Sequence, residues 1–350
     1  MRRIICIGMS FLKKILSAVL YFKFLPCFLH GVSLIFLFAF FSGHIYSQQL
    51  PQFSQRMIDV MLYNPAYAGT KGHPVTIVHY RSQWLGFEKA PVTQSVSING
   101  KINRIMGIGA YLMKDEIGPS KSLYINLCYS HHIDLNKVAL VFGLGGTFIH
   151  YGIDGKQITI HEQNDNAVQL GVLDKVWKSD FSFGTYLYND RFYFGISSQQ
   201  LRKSKIKIFL DDDKQGIIPL SQHHYVTGGY FVTLLQNFQL EPSFLVGKVI
   251  GTPFQVDLNL NVQYMQKFLG GISYRLNDAI IILAGVKFME KYKFAYSYDL
   301  VISNLRNYNS GSHEIIFTVD MPDITNRKSR WHHEYKYDFN PKTNRWRERW

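Results

Sequence analysis

From Val256 to Tyr264 the chain reads Val-Asp-Leu-Asn-Leu-Asn-Val-Gln-Tyr: every second residue is large and apolar, and each one between is Asp, Asn or Gln. Lys291 to Leu300 repeats the pattern with Tyr and Phe on one face. Side chains alternate sides along a strand, so each segment has one apolar and one wet face. A helix would scatter the two classes around its axis. Aromatic residues make up 15% of the 350 residues. Alternating segments of about ten residues, repeated many times and rich in Tyr and Phe, are the mark of strands that cross a membrane with lipid on one side. No uncharged apolar run after residue 47 approaches the ~20 residues of a membrane helix. The expected fold is therefore all-β: a transmembrane, antiparallel, up-and-down β-barrel of about fourteen strands. They begin near Val75, Val92, Arg104, Ser120, Lys137, Asp180, Arg191, Gln222, Phe238, Pro253, Lys267, Ala279, Lys291 and Ser312.

Met1 to Ser47 carries Arg2, Arg3, Lys13, Lys14 and Lys23, no acidic residue, an apolar core from Gly31 to Phe41 and a small residue, Ser47, before Gln48. It reads as a signal peptide, with a permanent signal anchor as the alternative; Leu25-Pro26 before Cys27 makes a poor lipidation site. With Cys6 and Cys27 in this leader, Cys128 is left alone and no disulfide forms in the mature chain; a small wall residue is expected there rather than a reactive thiol. The leader's five basic residues, and eight basic against three acidic residues from Ile324 to Trp350, supply most of the formal charge of +13. The basic character sits at the two ends, and nothing in it calls for nucleic acid as a partner.

The expected organisation is a signal peptide (1–47), a periplasmic entry segment (48–72), an outer-membrane barrel (73–320) and a basic periplasmic tail (321–350). Connections at Lys101–Asn103, Ile133–Asn136, Asn189-Asp190, Gln236-Asn237, Gln266 and Glu290 are tiny, whereas Gly152–Ser179, Leu201–Ser221 and Asn304–Gly311 are long. Strict alternation of short and long connections suits periplasmic turns at one end and external loops at the other, and an even strand count puts both termini in the periplasm. Glycines inside strands (Gly107, Gly109, Gly143, Gly145, Gly146, Gly228, Gly229, Gly270, Gly271) permit coiling and leave room for aromatic neighbours or a chain inside.

No catalytic constellation emerges, and no cofactor or metal site is expected. The pairs His131-His132, His223-His224 and His332-His333 place adjacent rings on opposite faces of a strand, which prevents joint chelation. Asp211-Asp212-Asp213 lacks the ligand spacing of a calcium loop, and Gly143-Leu144-Gly145-Gly146 has no following helix for phosphate. No Ser or Asp is paired recognisably with a His or carboxylate, as a barrel hydrolase requires.

What remains is recognition. Gln52-Phe53-Ser54-Gln55, Tyr63-Asn64-Pro65-Ala66-Tyr67-Ala68-Gly69 and Arg81-Ser82-Gln83-Trp84-Leu85-Gly86-Phe87 form an ordered series, continued by Ala90-Pro91-Val92-Thr93, Asp115-Glu116-Ile117-Gly118-Pro119 and Gly311-Ser312-His313-Glu314-Ile315. Together they resemble the PorP/SprF family of outer-membrane proteins of the Bacteroidota type IX secretion system, from Gln48 to about Asp320. The resemblance implies a non-enzymatic barrel in the outer-membrane lipid that works with type IX secretion or gliding machinery subunits. It implies further that such a barrel serves, exports or anchors one large secreted adhesin. The residues it singles out are Asn64, Pro65, Tyr67, Gly69, Arg81, Gln83, Trp84, Gly86, Phe87, Pro91, Asp115, Gly118, Pro119, Gly311, His313 and Glu314, in structural or partner-contact roles. Asn64-Pro65 forces a turn. Trp84 and Phe87 around Gly86 suit an interfacial anchor. Arg81 is expected to face the lumen and pair with Asp115 or Glu116. The alternative function is a passive porin; inward faces of mostly Ser, Gly, Asn and Gln, with few charges, speak against it.

Overall fold

The computed structural model describes residues 50–155, 173–211, 214–235, 237–322, 337–340 and 345–348. The leader, most of the Gly152–Ser179 connection, Asp212-Asp213 and His332-His333 lie outside the described residues.

Fourteen antiparallel strands form one closed ring. In chain order they are β1 (Val75–Ser82), β2 (Val92–Lys101), β3 (Met106–Ile117), β4 (Ser120–Asp134), β5 (Ala139–Asp154), β6 (Leu173–Tyr188) and β7 (Phe192–Gln199). A hairpin of β8 (Lys205–Asp211) and β9 (Lys214–Pro219) interrupts the ring, which resumes with β10 (His223–Tyr230). The short β11 (Val232–Leu235) pairs with β12 (Phe238–Val249). The ring is completed by β13 (Gln255–Tyr264), β14 (Phe268–Arg275), β15 (Ala279–Phe288), β16 (Tyr292–Val301) and β17 (Ser312–Asp320). Pairing of β1 with β17, from Val75↔Asp320 to Ser82↔His313, and of β10 with β12 leaves no open edge.

The period-2 pattern decides which face meets what. Leu258, Leu260, Phe294 and Leu300 are exposed on the outer wall, while Asp257, Ala295, Ser297 and Asp299 of the same strands are buried inside. Around one end the outward aromatics run from strand to strand: Phe238 lies 4.5 Å from Tyr264, Phe288 lies 5.5 Å from Tyr292, and Tyr292 lies 5.9 Å from Phe317. Such a girdle suits a membrane–water boundary.

That end carries only short connections, among them Asn189–Arg191, Met265–Lys267 and Met289–Lys291. The opposite end carries the long ones, but not exclusively: Gly118-Pro119 joins β3 to β4 and Leu276–Asp278 joins β14 to β15. The expected strict alternation therefore fails, because a tight turn is geometrically allowed at either end of a hairpin. Strand β6 begins at Leu173 rather than near Asp180, extending the wall into the anticipated loop. The start of β1 and the finish of β17 share the tight-turn end. The tail holds a hairpin of β18 (Tyr337–Asn340) and β19 (Arg345–Glu348).

Candidate functional site

Residues 50–72 do not form a segment outside the barrel, as an entry segment would; they run through the lumen. Phe53, Arg56, Asp59, Met61, Asn64, Ala66, Ala68 and Thr70 are all at most 5% exposed. The segment begins near the long-connection end, where the Leu50 amide donates to His223 Nε2 (3.1 Å) at the first residue of β10. It leaves at the tight-turn end, where a Cβ on Gly69 would meet Gly100 O and Gly107 Cα at 3.1 Å.

Two short 3₁₀ turns, Val60–Leu62 and Pro65–Tyr67, make the segment compact. Asn64 caps the second: its Oδ1 accepts from the Ala66 amide at 3.0 Å, and Pro65 supplies the first helical residue without wasting an N–H. The same Asn64 donates through Nδ2 to Thr185 O (3.0 Å), tying the turn to the wall.

A chain inside a barrel brings backbone groups that must find partners there. The wall supplies them from its inward polar face. Ser197 Oγ donates to Tyr63 O (2.8 Å), Gln199 Nε2 to Leu62 O (2.7 Å) and Ser130 Oγ to Ala68 O (2.7 Å). The Gly69 amide, at a residue with φ of +75°, donates to Asn99 Oδ1 (3.2 Å). Inward Tyr side chains fill the remaining space: Tyr63 packs edge-on to Tyr225 at 5.3 Å, and Tyr67 to Tyr186 at 5.5 Å. The inward face thus carries Tyr side chains such as Tyr111, Tyr124 and Tyr186 beside the expected Ser, Gly, Asn and Gln, and more charge than expected, with Arg81, Asp257, Arg275, Asp299 and Glu314 all buried.

Wall glycines make the cradle. A Cβ at Gly143 would stand 2.1 Å from Ala66 N and 2.4 Å from its Cα, both backbone atoms unable to move aside alone. Gly146, three residues on and facing outward, meets nothing within 4 Å. Gly143→Ala is expected to destabilise the barrel by about 1–3 kcal/mol, as overpacking does. Gly146→Ala should stay within about 0.5 kcal/mol of the parent. Urea midpoints of the two variants in detergent check both values.

Near the long-connection end the segment is held by charge. Arg81 faces the lumen as expected, but its partners are Asp299 (2.8 Å) and Glu314 (3.3 Å), not Asp115 or Glu116. The reason is closure: β17 lies beside β1, and β16 beside β17. Asp115 instead accepts from Thr93 Oγ1 (2.6 Å), and Glu116 pairs with Lys114 (2.7 Å) at the surface. Glu314 also accepts from the Ser54 amide (2.6 Å) and the Gln55 amide (3.1 Å), and Ser54 Oγ donates to Asp299 (2.6 Å). Arg81 donates to Ser54 Oγ as well. Arg56, from the segment, pairs with Asp257 (3.2 Å), which Arg275 also reaches at 3.3 Å. Arg56, Asp257, Arg275 and Asp299 are members of this charged cluster that sequence reasoning missed. Asp257 and Asp299 stood on the polar faces of the two most regular strands, which placed them inside but did not name their partners.

The other family-motif residues gather at the long-connection end, outside the lumen. Gln83 N donates to Pro91 O (2.9 Å), closing the loop that holds Trp84, Gly86 and Phe87. Trp84 and Phe87 meet edge to face at 6.4 Å. Gly86 takes a φ of +107°. Leu85 N donates to Gly311 O (2.9 Å), Trp84 N to Ser312 Oγ (3.1 Å) and Gly118 N to Lys89 O (3.2 Å), so three connections are laced together. Pro119 O accepts from Asp154 N (3.0 Å), and His313 Nδ1 lies 2.6 Å from Tyr296 OH on the outer wall. The motif therefore divides between the lumen (Asn64, Pro65, Tyr67, Gly69, Arg81, Asp115, Glu314) and this laced rim.

Cys128 is buried on the inward face of β4. His131 and His132 point to opposite sides, His132 inward with Nε2 3.0 Å from Ala68 O. Gly143–Gly146 is mid-strand in β5.

A family model described as type IX secretion system membrane protein PorP/SprF matches residues 45–319. Comparison with curated proteins finds no match. Among solved structures, the Acinetobacter baumannii outer membrane protein Omp33 is similar with a TM-score of 0.43 at 5% identity, over 72% of this chain and 100% of its own. The Pseudomonas putida toluene transporter TodX is similar with a TM-score of 0.42 at 9% identity, over 79% of this chain and 94% of its own. The CymD monoaromatic hydrocarbon channel has a TM-score of 0.41 at 13% identity, over 78% of this chain and 93% of its own.

Proposed function

The chain belongs to the PorP/SprF family of type IX secretion system membrane proteins, and from that premise we propose that it is a non-enzymatic, client-specific accessory of type IX secretion or gliding machinery that holds a secreted surface protein at the outer membrane. The observation that carries this reading is the filled lumen: residues 50–72 occupy the space a solute pathway would need. A barrel closed in this way offers its rims and its outer wall for work. In this reading the tight-turn end faces the periplasm with the last strand and the tail, where machinery subunits dock. The laced rim around Trp84, Phe87 and Gly311 and the β8–β9 hairpin face outward, where the client sits. The leader acts as a signal peptide. The exposed Leu, Ile and Phe side chains of the wall meet outer-membrane lipid.

The test is capture of the tagged protein from detergent-solubilised outer membranes, with mass spectrometry of what accompanies it. Secretion-machinery subunits or one large surface adhesin are expected. A partnerless barrel that conducts ions in planar bilayers would replace this reading with a passive porin.

A further inference from the structure

The wall is not of even height. Strands β5 and β6 are 16 residues long and β4 is 15, whereas β13, β15 and β16 have 10. About 9–11 residues cross a bilayer. The strands meet in tight turns at one end, so the extra length of β4 to β6 stands beyond the lipid at the long-connection end. The register sorts the outward side chains there into rows. Leu112, Ile125, Phe148 and Ser179 lie side by side in one row; Lys114, Leu123, His150 and Trp177 form the next; Glu116, Lys121, Gly152 and Lys175 form the one after. Outward positions recur every two residues, ~6.6 Å along the strand, so a tilt of ~40° raises each row by about 5 Å. The first row continues the lipid-facing wall, and the second and third fall at headgroup depth and its outer edge.

This patch is cationic on balance. Lys114 (2.7 Å) and Lys121 (3.9 Å) share the single carboxylate of Glu116, so together the three keep one positive charge. Lys175 is exposed and outside any ion pair among the described residues. Arg202, from the connection after β7, donates to the neutral Ser179 Oγ (2.9 Å) on the same outer face. Asp154, one outward position further out on β5, is the next carboxylate. Trp177 is 57% exposed, with its ring 4.6 Å from that of His150, as suits a side chain at a membrane boundary. The charge is one-sided: the outward positions Val256, Tyr274, Ile280 and Leu300 at this end of β13 to β16 carry none. Continuity with the apolar wall means that the molecule lying against the patch is one with its tails in the lipid. Lys121 on β4 and Lys175 on β6 are two strand spacings apart, about 10 Å, which is wider than one phosphate and suits a broader head. We propose that this patch binds the phosphate-bearing saccharide headgroup of a lipid in the leaflet at the long-connection end, with Lys121, Lys175 and Arg202 on the phosphate oxygens and Trp177 at the boundary between sugars and acyl chains. It takes its placement in the membrane from the accessory reading and does not depend on which client the barrel serves.

The test uses the intact protein in detergent and native mass spectrometry, with diphosphoryl lipid A, its dephosphorylated form and phosphatidylglycerol at equal concentrations. Diphosphoryl lipid A is expected to bind about tenfold or more tighter than either of the others, the scale of two or more cations acting together at a membrane surface. The preference should vanish in Lys121→Gln/Lys175→Gln, return in Lys121→Arg/Lys175→Arg, and persist in Lys267→Gln/Lys291→Gln, whose exposed lysines lie at the tight-turn end. Heat-dependent gel migration reports whether each variant is folded. Equal binding of the phosphorylated and dephosphorylated lipids, or a preference surviving in the folded Lys121→Gln/Lys175→Gln variant, overturns the proposal. Equal binding of phosphatidylglycerol also overturns it, since any acidic lipid would then serve. Polyglutamate that binds where lipid A does not would assign the patch to an acidic partner protein instead. The three-lipid comparison on the unaltered protein decides the matter even where a variant does not fold. Failure here with successful capture of secretion subunits would remove the lipid site and leave the accessory role standing.

Discussion

Replacing Arg81 by Met is expected to lower barrel stability by about 3–5 kcal/mol, the cost of leaving buried charges without a partner. Arg81 is 1% exposed and stands between Asp299 and Glu314, which are no more open to water. Met keeps most of the volume, so the loss is electrostatic rather than a cavity. Arg275 lies 3.7 Å from Asp299 and His79 lies 3.8 Å from Glu314, so some compensation survives and the lower part of that range is expected. The control is Arg81→Met/Glu314→Gln, which removes one uncompensated carboxylate and should recover part of the loss. Urea unfolding of purified protein, followed by tryptophan fluorescence, checks the order: parent, then the double variant, then Arg81→Met. A double variant weaker than the single would mean that Glu314 contributes mainly through its bonds to the Ser54 and Gln55 amides.

The second large effect concerns the lumen. Removing residues 50–69 is expected to turn a non-conducting barrel into an ion-conducting one in planar bilayers. The segment buries Phe53, Met61, Tyr63 and Tyr67 in the interior and satisfies inward groups such as Ser197 and Gln199. Without it those groups and the Arg275–Asp257 pair face a void large and polar enough to fill with water. The closed pairing of β1 with β17 and of β10 with β12 does not involve the deleted residues, so the ring itself should persist. Heat-dependent gel migration verifies that before any current is recorded. A folded deletion variant as silent as the parent would mean that the wall's own side chains close the lumen.

Much of the wall was legible because a strand's period of two is written directly into residue type. The run Val256–Tyr264 named its own lipid face and lumen face, and Leu258 and Asp257 fall accordingly. Glycines within strands pointed to space inside, which Gly143 and Gly107 yield to Ala66 and Ala68. The location of residues 50–72 was not legible. Their mixture of Phe, Met and Tyr with Ser, Arg and Asp has no period, because an irregular segment surrounded on all sides has no single wet face. The partners of Arg81 escaped for a different reason. Asp115 is nearer in sequence, but Glu314 arrives only when the last strand closes on the first, and no local pattern encodes that meeting. The rim was half visible: Trp84, Gly86 and Phe87 marked a special turn, while its lacing to Gly311 required the same closure.

Cys128 offers the most direct test that the lumen is filled by the chain's own segment. It faces inward on β4, 6% exposed, and a Cβ on neighbouring Gly109 would touch both Cys128 Sγ and Met61 Sδ of the segment. Intact outer membranes treated with a charged, water-soluble methanethiosulfonate reagent, followed by mass spectrometry of the Cys128 peptide, read its access to water. The expected result is protection in the native barrel and rapid modification once residues 50–69 are removed. Rapid modification of Cys128 in the intact, folded protein would mean that the lumen is open to water, and it would contradict the account.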